Sequence, residues 1–260
     1  MSAYAEGVSS QFRVISALVL RDMRTRFGHT FFGYVIMVAW PLSHLLALLT
    51  IYVFLRSVIP MGTSAPVFFA TGILPYILCL YPSRMIAMCI IQNRPLLYFP
   101  IVKSFDVIVA RSFLEIVTAF WVVVLFCIIL YAFDVDIFPV YPEEAILAIA
   151  ATIYFSLSLG FISAVLFQLT RAWIVVLIVS QIGMYFTSGA LFLPSALPET
   201  TQYWLSWNPL LHCVEWLRSA YYDGYNYGLL NRQYLVGFST ALLCIGMIAE
   251  RAFRGYLLEP

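Results

Sequence analysis

Six rings close to one another, Trp204, Trp207, Trp216, Tyr221, Tyr222 and Tyr225, are the densest group of ligand-gripping side chains in this sequence. Nine of the residues from Tyr203 to Tyr234 are Tyr or Trp, against 17 Tyr and 6 Trp in the whole chain. Each ring offers a flat apolar face and a polar tip, which suits a long, partly polar cargo. The same rings gather at any membrane–water boundary, so an interfacial belt is the competing reading. Arg84 lies inside an apolar run, where a charge is costly and faces either a partner or a polar route. Its candidates are an anionic cargo on one side and a structural pair with Glu115 on the other. Arg111 and Glu115 stand one helical turn apart and can neutralise each other. His44 sits in another apolar run, where one hydrogen bond satisfies it.

No catalytic constellation accompanies these residues. Lys103 is the only lysine and follows no glycine-rich loop, so the chain lacks a phosphate-cradling P-loop. His29, His44 and His212 have no partners at metal-ligand spacing, and no serine occupies a G-x-S-x-G elbow. Cys79, Cys89, Cys127, Cys213 and Cys244 are scattered singly and read as small apolar packing residues. Asp134, Asp136, Glu143 and Glu144 read as a solvated acidic loop, and no metal site is expected. A net charge of +1 gives no reason to expect a nucleic-acid partner.

The elements that position these residues must live in lipid. The chain has 260 residues, 63% hydrophobic and only 10% charged, with a mean hydropathy of +0.92; soluble domains carry about 25% charged residues. A bilayer core takes about 20 apolar residues per helix. Six segments qualify: 32–55, 66–90, 107–131, 145–167, 174–193 and 233–250. Trp40-Pro41, and Gly72 with Pro75, punctuate the first two as packing features. With a cytoplasmic N-terminus, ten Lys and Arg fall inside and Arg56, Arg218 and Arg232 outside, which fixes both termini in the cytoplasm. The apolar run Val14–Leu20 is too short and too closely flanked by Arg13 and Arg21 for a signal peptide.

Residues 9–29 read as a basic amphipathic helix at the cytoplasmic surface. Phe12, Ile15, Val19 and Met23 form its oily face, and Arg13, Arg21 and Arg24 meet lipid headgroups. Between the second and third spans, Pro95 and Pro100 frame Leu96, Leu97, Tyr98 and Phe99, four large apolar side chains that need a cover. Asp106 caps the third span. The stretch Ser188–Tyr225 is too polar to cross, and Pro198, Asn208 and Pro209 signal helix starts. It reads as two short helices, about 198–206 and 209–222, lying in the interface or dipping in as a re-entrant pair. The expected fold is an all-α polytopic membrane protein: an N-terminal interface helix in residues 1–30, then a six-helix domain over 31–260, with a cytoplasmic loop at 92–105 and a re-entrant segment at 195–230.

Three stretches occur in family order: RDMRTRFG (residues 21–28), NRPLLYFPIVKSFD-x-x-x-ARSFLE (93–115), and SGALFLPSALP (188–198) followed by WNPLLHCVEWLRSAYYDGY (207–225). On these, nearly the whole chain resembles permease subunits of type-2 ABC exporters, in the KpsM-like capsular polysaccharide branch. The resemblance implies a homodimer carrying two copies of a soluble ATPase subunit, which alone binds ATP and magnesium; this chain needs no cofactor and is no enzyme. It makes the 92–105 loop, with Asn93, Arg94, Leu96, Leu97, Tyr98 and Phe99, the coupling element. It implies a lipid-linked polysaccharide cargo crossing the inner membrane of a Gram-negative bacterium to periplasmic and outer-membrane export proteins. Arg84, Trp204, Trp207, Trp216, Tyr221, Tyr222 and Tyr225 then become the substrate path. Alternatives are export of O-antigen, teichoic acid or a small drug, a membrane-embedded enzyme, and a scaffold without transport.

Overall fold

The computed structural model describes residues 2–27, 31–55, 61–62, 64–225 and 228–258, with side chains from 9–24, 35–55, 61–62, 64–225 and 228–255. His29 and Arg56, and the side chain of Arg26, lie outside the described residues. Helix and turn account for the described residues, with no strand among them. The helices are α1 (Ser2–Phe27), α2 (Phe31–Leu55), α3 (Ala65–Ala87), α4 (Cys89–Gln92), α5 (Ser104–Ala132), α6 (Pro142–Leu169), α7 (Trp173–Thr187), α8 (Glu199–Leu205), α9 (Pro209–Tyr221) and α10 (Arg232–Leu258). Short 3-10 turns cover Arg94–Tyr98 and Pro194–Ala196.

Five of these, α2, α3, α5, α6 and α10, are long and apolar enough to cross a membrane. The fifth expected span, 174–193, ends early, at Thr187. Gly189 adopts a left-handed conformation (φ +74°) just past the helix end, the geometry by which glycine closes a helix.

Helix α3 is the centre of the bundle and is buried on nearly all sides by α2, α5, α6 and α9. Close packing there depends on missing side chains. A Cβ at Gly160 of α6 would stand 2.9 Å from Cβ of Ile86 on α3, and one at Gly72 would collide with the backbone at Ala190. Helix α2 buries Val38, Leu42, Leu45 and Leu49, a stripe at helical spacing, and leaves Ile36, Trp40, Phe54 and Leu55 outward. Helix α7 buries only Leu177, Gln181 and Tyr185, one residue per turn.

Helix α1 begins earlier than expected, at Ser2, and its packed face differs from the one expected. Leu18 is buried, with Val14, Ile15 and Val19 packed against the same apolar cluster, whereas Phe12 is exposed. Neighbouring α5 supplies that core, so the inward face follows the contact with it instead of the oiliest line on the wheel. Asp106 is not the cap residue of α5 but stands three positions on, where its Oδ2 accepts from the Lys103 N–H at 3.1 Å.

Candidate functional site

The two short helices occur almost where expected, and Asn208 caps α9 by accepting from the Leu210 N–H at 2.9 Å. They are not equivalent. Helix α9 is buried along most of its length against α3, α6 and α10, while α8 buries no residue. The six rings divide accordingly. Trp204 and Trp207 are open, the former 69% exposed, whereas Trp216 is 7% and Tyr225 4% exposed.

Burial of Trp216 and Tyr225 has specific causes. The Trp216 indole N–H donates to Glu144 Oε2 at 2.7 Å and its ring lies under the Arg232 guanidinium. Glu144 in turn pairs with Arg232 at 3.0 Å, so this member of the acidic loop is not merely solvated. The Tyr225 hydroxyl donates to Glu215 Oε1 at 2.7 Å. Tyr221 lines a small apolar cavity between α3 and α5 with Phe126 and Cys127, and Tyr222 is half-buried. In this conformation, then, two of the six face out of the protein and four are part of its packing.

Arg218, which the charge count merely placed outside, is fully buried. Its guanidinium donates to the carbonyls of Gly189 (2.7 Å), Ala190 (2.9 Å) and Phe192 (3.1 Å) and stacks over the Phe68 ring. Helix ends leave carbonyls without intrahelical partners. One planar fork therefore satisfies the turn after α7, and this is why that helix can stop short. A lone arginine in an aromatic-rich polar stretch carries no sequence signal for such a role.

Mid-bundle, the two readings of Arg84 separate. Its Nε donates to Gln181 Oε1 at 2.7 Å, Gln181 Nε2 donates to Ser83 Oγ at 2.6 Å, and Ser83 Oγ donates to the Cys79 carbonyl. The expected alternative pairing with Glu115 does not occur: Glu115 is held by Arg111 at 2.5 Å, both buried on α5. Sequence reasoning missed Gln181 because a single glutamine in an apolar helix looks like noise. Its spacing from Leu177 and Tyr185 was the available signal. His44 meets the Tyr81 hydroxyl at 3.0 Å, the single bond it needed. Tyr76 and Tyr185 stack nearby, with centroids 4.2 Å apart.

The 92–105 loop is only partly an exposed apolar surface. Tyr98 and Phe99 are 69% and 59% exposed, and Ile101 joins them, but Leu97 is 8% exposed and Leu96 packs on the same inner core. Asn93 is also buried. Its side chain donates to the Cys89 carbonyl at 2.9 Å and accepts from the Arg21 guanidinium. Arg21 is thus turned to the loop and to Asp22 instead of to headgroups, while Arg13 and Arg24 remain open. Gln11 donates to Asp106 at 2.8 Å, and Ser104 donates to Glu250 at 2.5 Å, with Arg254 gripping Glu250. Polar contacts therefore join α1 to the loop (Arg21–Asn93), α1 to the start of α5 (Gln11–Asp106), and α5 to the end of α10 (Ser104–Glu250).

Among the described residues, no three His, Cys, Asp or Glu side chains converge as a metal site. What remains is a helical bundle with an apolar knob at one end, a half-buried arginine in the last turn of α3 and an aromatic rim at the other end. No family model matches the chain. Relatives match it end to end, however. It is 31% identical to the polysialic acid transport protein KpsM of Escherichia coli, over 94% of this chain and 95% of that protein. It is 27% identical to the capsule polysaccharide export inner-membrane protein CtrC of Neisseria meningitidis serogroup A, covering 100% and 97%. It is 25% identical to the capsule polysaccharide export inner-membrane protein BexB of Haemophilus influenzae, covering 97% and 95%. With identity of that level spread over nearly the whole of both chains, the chain belongs to the KpsM family of capsule polysaccharide export inner-membrane proteins.

Proposed function

We propose that this chain is the membrane subunit of an ATP-driven exporter that carries lipid-linked capsular polysaccharide across the bacterial inner membrane. The observation that carries the reading is its end-to-end relationship to capsule export inner-membrane proteins. Six spans cross: α2, α3, α5, α6, α7 and α10. At 15 residues, α7 is only ~22 Å long, short for a hydrocarbon core of about 30 Å. The turn at 188–193 and α9 complete that crossing, since irregular backbone survives at membrane depth when protein satisfies it. Helices α8 and α9 form the outer re-entrant pair, and both termini face the cytoplasm.

A second copy of the chain completes the path, and two copies of a soluble ATPase bind from the cytoplasm, supplying the ATP and magnesium chemistry. Residues 1–30 act as an interface unit and 31–260 as the permease domain. Tyr98, Phe99 and Ile101 are the knob that enters the ATPase, with Asn93, Leu96 and Leu97 holding its base and Arg94 beside it. Arg84 lies on the substrate route as the cation an anionic cargo meets, Trp204 and Trp207 stand at its exit, and Arg13 and Arg24 meet headgroups. Periplasmic and outer-membrane proteins take the polymer onward. Deletion of the gene in its host should strip capsule from the surface and leave polymer inside the cell, with rescue by the intact gene. An undiminished surface capsule in the deletion strain overturns the reading.

A further inference from the structure

On the outer face a cleft of about 520 Å³ opens between α8, the turn at residues 228–231 and the first turn of α10. Small-ligand sites typically measure about 300–1,000 Å³. Its walls are aromatic. The rings of Tyr203 and Trp207 stand 6.3 Å apart at 82°, presenting two faces nearly at right angles, and Tyr234 closes a third side. Tyr234 is fixed from behind: its hydroxyl donates to the Trp207 carbonyl at 2.7 Å, and its ring leans on His212 and stacks on Phe238. His212 Nδ1 accepts from the Asn231 N–H at 3.2 Å and Nε2–H donates to the Ser206 carbonyl at 2.8 Å. With both nitrogens engaged, it is a rigid floor and not a reactive group.

Two polar side chains complete the lining. Glu199 is exposed, and Gln202 commits its Nε2 to the Leu197 carbonyl at 2.7 Å, which leaves the amide oxygen as an acceptor. Among the described residues, neither lysine nor arginine lines the cleft, and Glu199 is the single formal charge there.

We propose that this cleft is a binding subsite for a neutral sugar ring of the exported polymer; the cargo assignment rests on the export reading above. A pyranose presents an apolar C–H face, which matches the Tyr203 and Trp207 faces, and a rim of hydroxyls, which donate to Glu199 and to the Gln202 amide oxygen. Rigid rings lose little conformational entropy on contact. An acidic sugar would set its carboxylate against Glu199 with no cation to offset the repulsion, so the cleft discriminates against it. Being open at the surface, it holds a ring within a chain that continues on both sides.

The test is calorimetric titration of the full-length chain in lipid nanodiscs with three probes: maltotriose, an N-acetylglucosamine trimer and a sialic acid trimer. A neutral trimer should bind the wild type and the sialic acid trimer at least tenfold more weakly. Trp207→Ala and Tyr203→Ala should each weaken neutral binding about fivefold or more, as expected for loss of one ring contact. Tyr203→Phe, which keeps the ring, should bind like the wild type and shows that the helix still folds. Trp121→Ala, on the exposed face of α5, should change nothing. The proposal falls if no neutral trimer binds, if the sialic acid trimer binds equally well, or if both alanine variants bind normally. Those results leave the export reading standing when the deletion strain loses its capsule. A deletion strain with a normal capsule removes the export reading, whatever the cleft binds.

Discussion

Arg111 and Glu115 are both buried on α5, and neither can lose its partner cheaply. Removing one member of a buried pair strands the other charge, at about 3–5 kcal/mol, whereas replacing both with apolar side chains is close to neutral. Arg111→Met should therefore lower the thermal midpoint in detergent sharply, and Arg111→Met with Glu115→Met should recover most of the loss. Equal losses in the single and double variants would contradict the pairing. Arg218 acts through geometry as much as charge, since three carbonyls converge on one planar group. Lysine keeps the charge but not the fork. Arg218→Lys should cost about 1–3 kcal/mol and expose the 189–193 turn to proteolysis, while unchanged protease resistance would rule out the latch. Arg84 is held by a neutral partner, Gln181, so the fold does not require its charge. Arg84→Gln should insert and fold normally yet lose surface capsule. Full capsule in that variant takes Arg84 off the substrate route.

Elements were more legible than contacts. Pro209 and Asn208 placed the start of α9 because a missing N–H and a capping side chain act within one turn, and hydrophobic length placed the five long helices for the same local reason. The end of α7 was not legible. It depends on Arg218, about 30 residues along the chain, reaching back to the carbonyls, and no local pattern announces that. Leu97 shows the same limit: it was indistinguishable from Leu96, Tyr98 and Phe99 until the loop's inner and outer faces were known. The difference carries a prediction. Phe99→Asp with Tyr98→Asp should abolish co-purification of an ATPase partner while the chain still inserts, because both side chains are already in water. Leu97→Asp buries a charge in the apolar cluster beneath the loop and should reduce the folded yield itself. If the Tyr98/Phe99 double variant retains its partner, the knob is only a membrane-surface contact.

At the scale of the whole molecule, separate polar contacts tie α1 to the 92–105 loop, α1 to α5, and α5 to α10 at one end, and α9 plugs the other end between α3 and α6. Orientation is checked with single cysteines in a background without the five native free thiols. Thr201→Cys should react with an impermeant maleimide on intact cells, and Lys103→Cys only after the inner membrane is opened; both positions are exposed. Labelling of both from one side would refute the arrangement of spans. Export itself is tested most directly in inverted inner-membrane vesicles loaded with lipid-linked capsular polysaccharide on their outer, cytoplasmic leaflet. With ATP, vesicles containing this chain should move the polymer inside, where added depolymerase cannot reach it, and vesicles from the deletion strain should not. Protection of equal extent in vesicles lacking the chain, or none in those containing it together with the ATPase, would contradict the account.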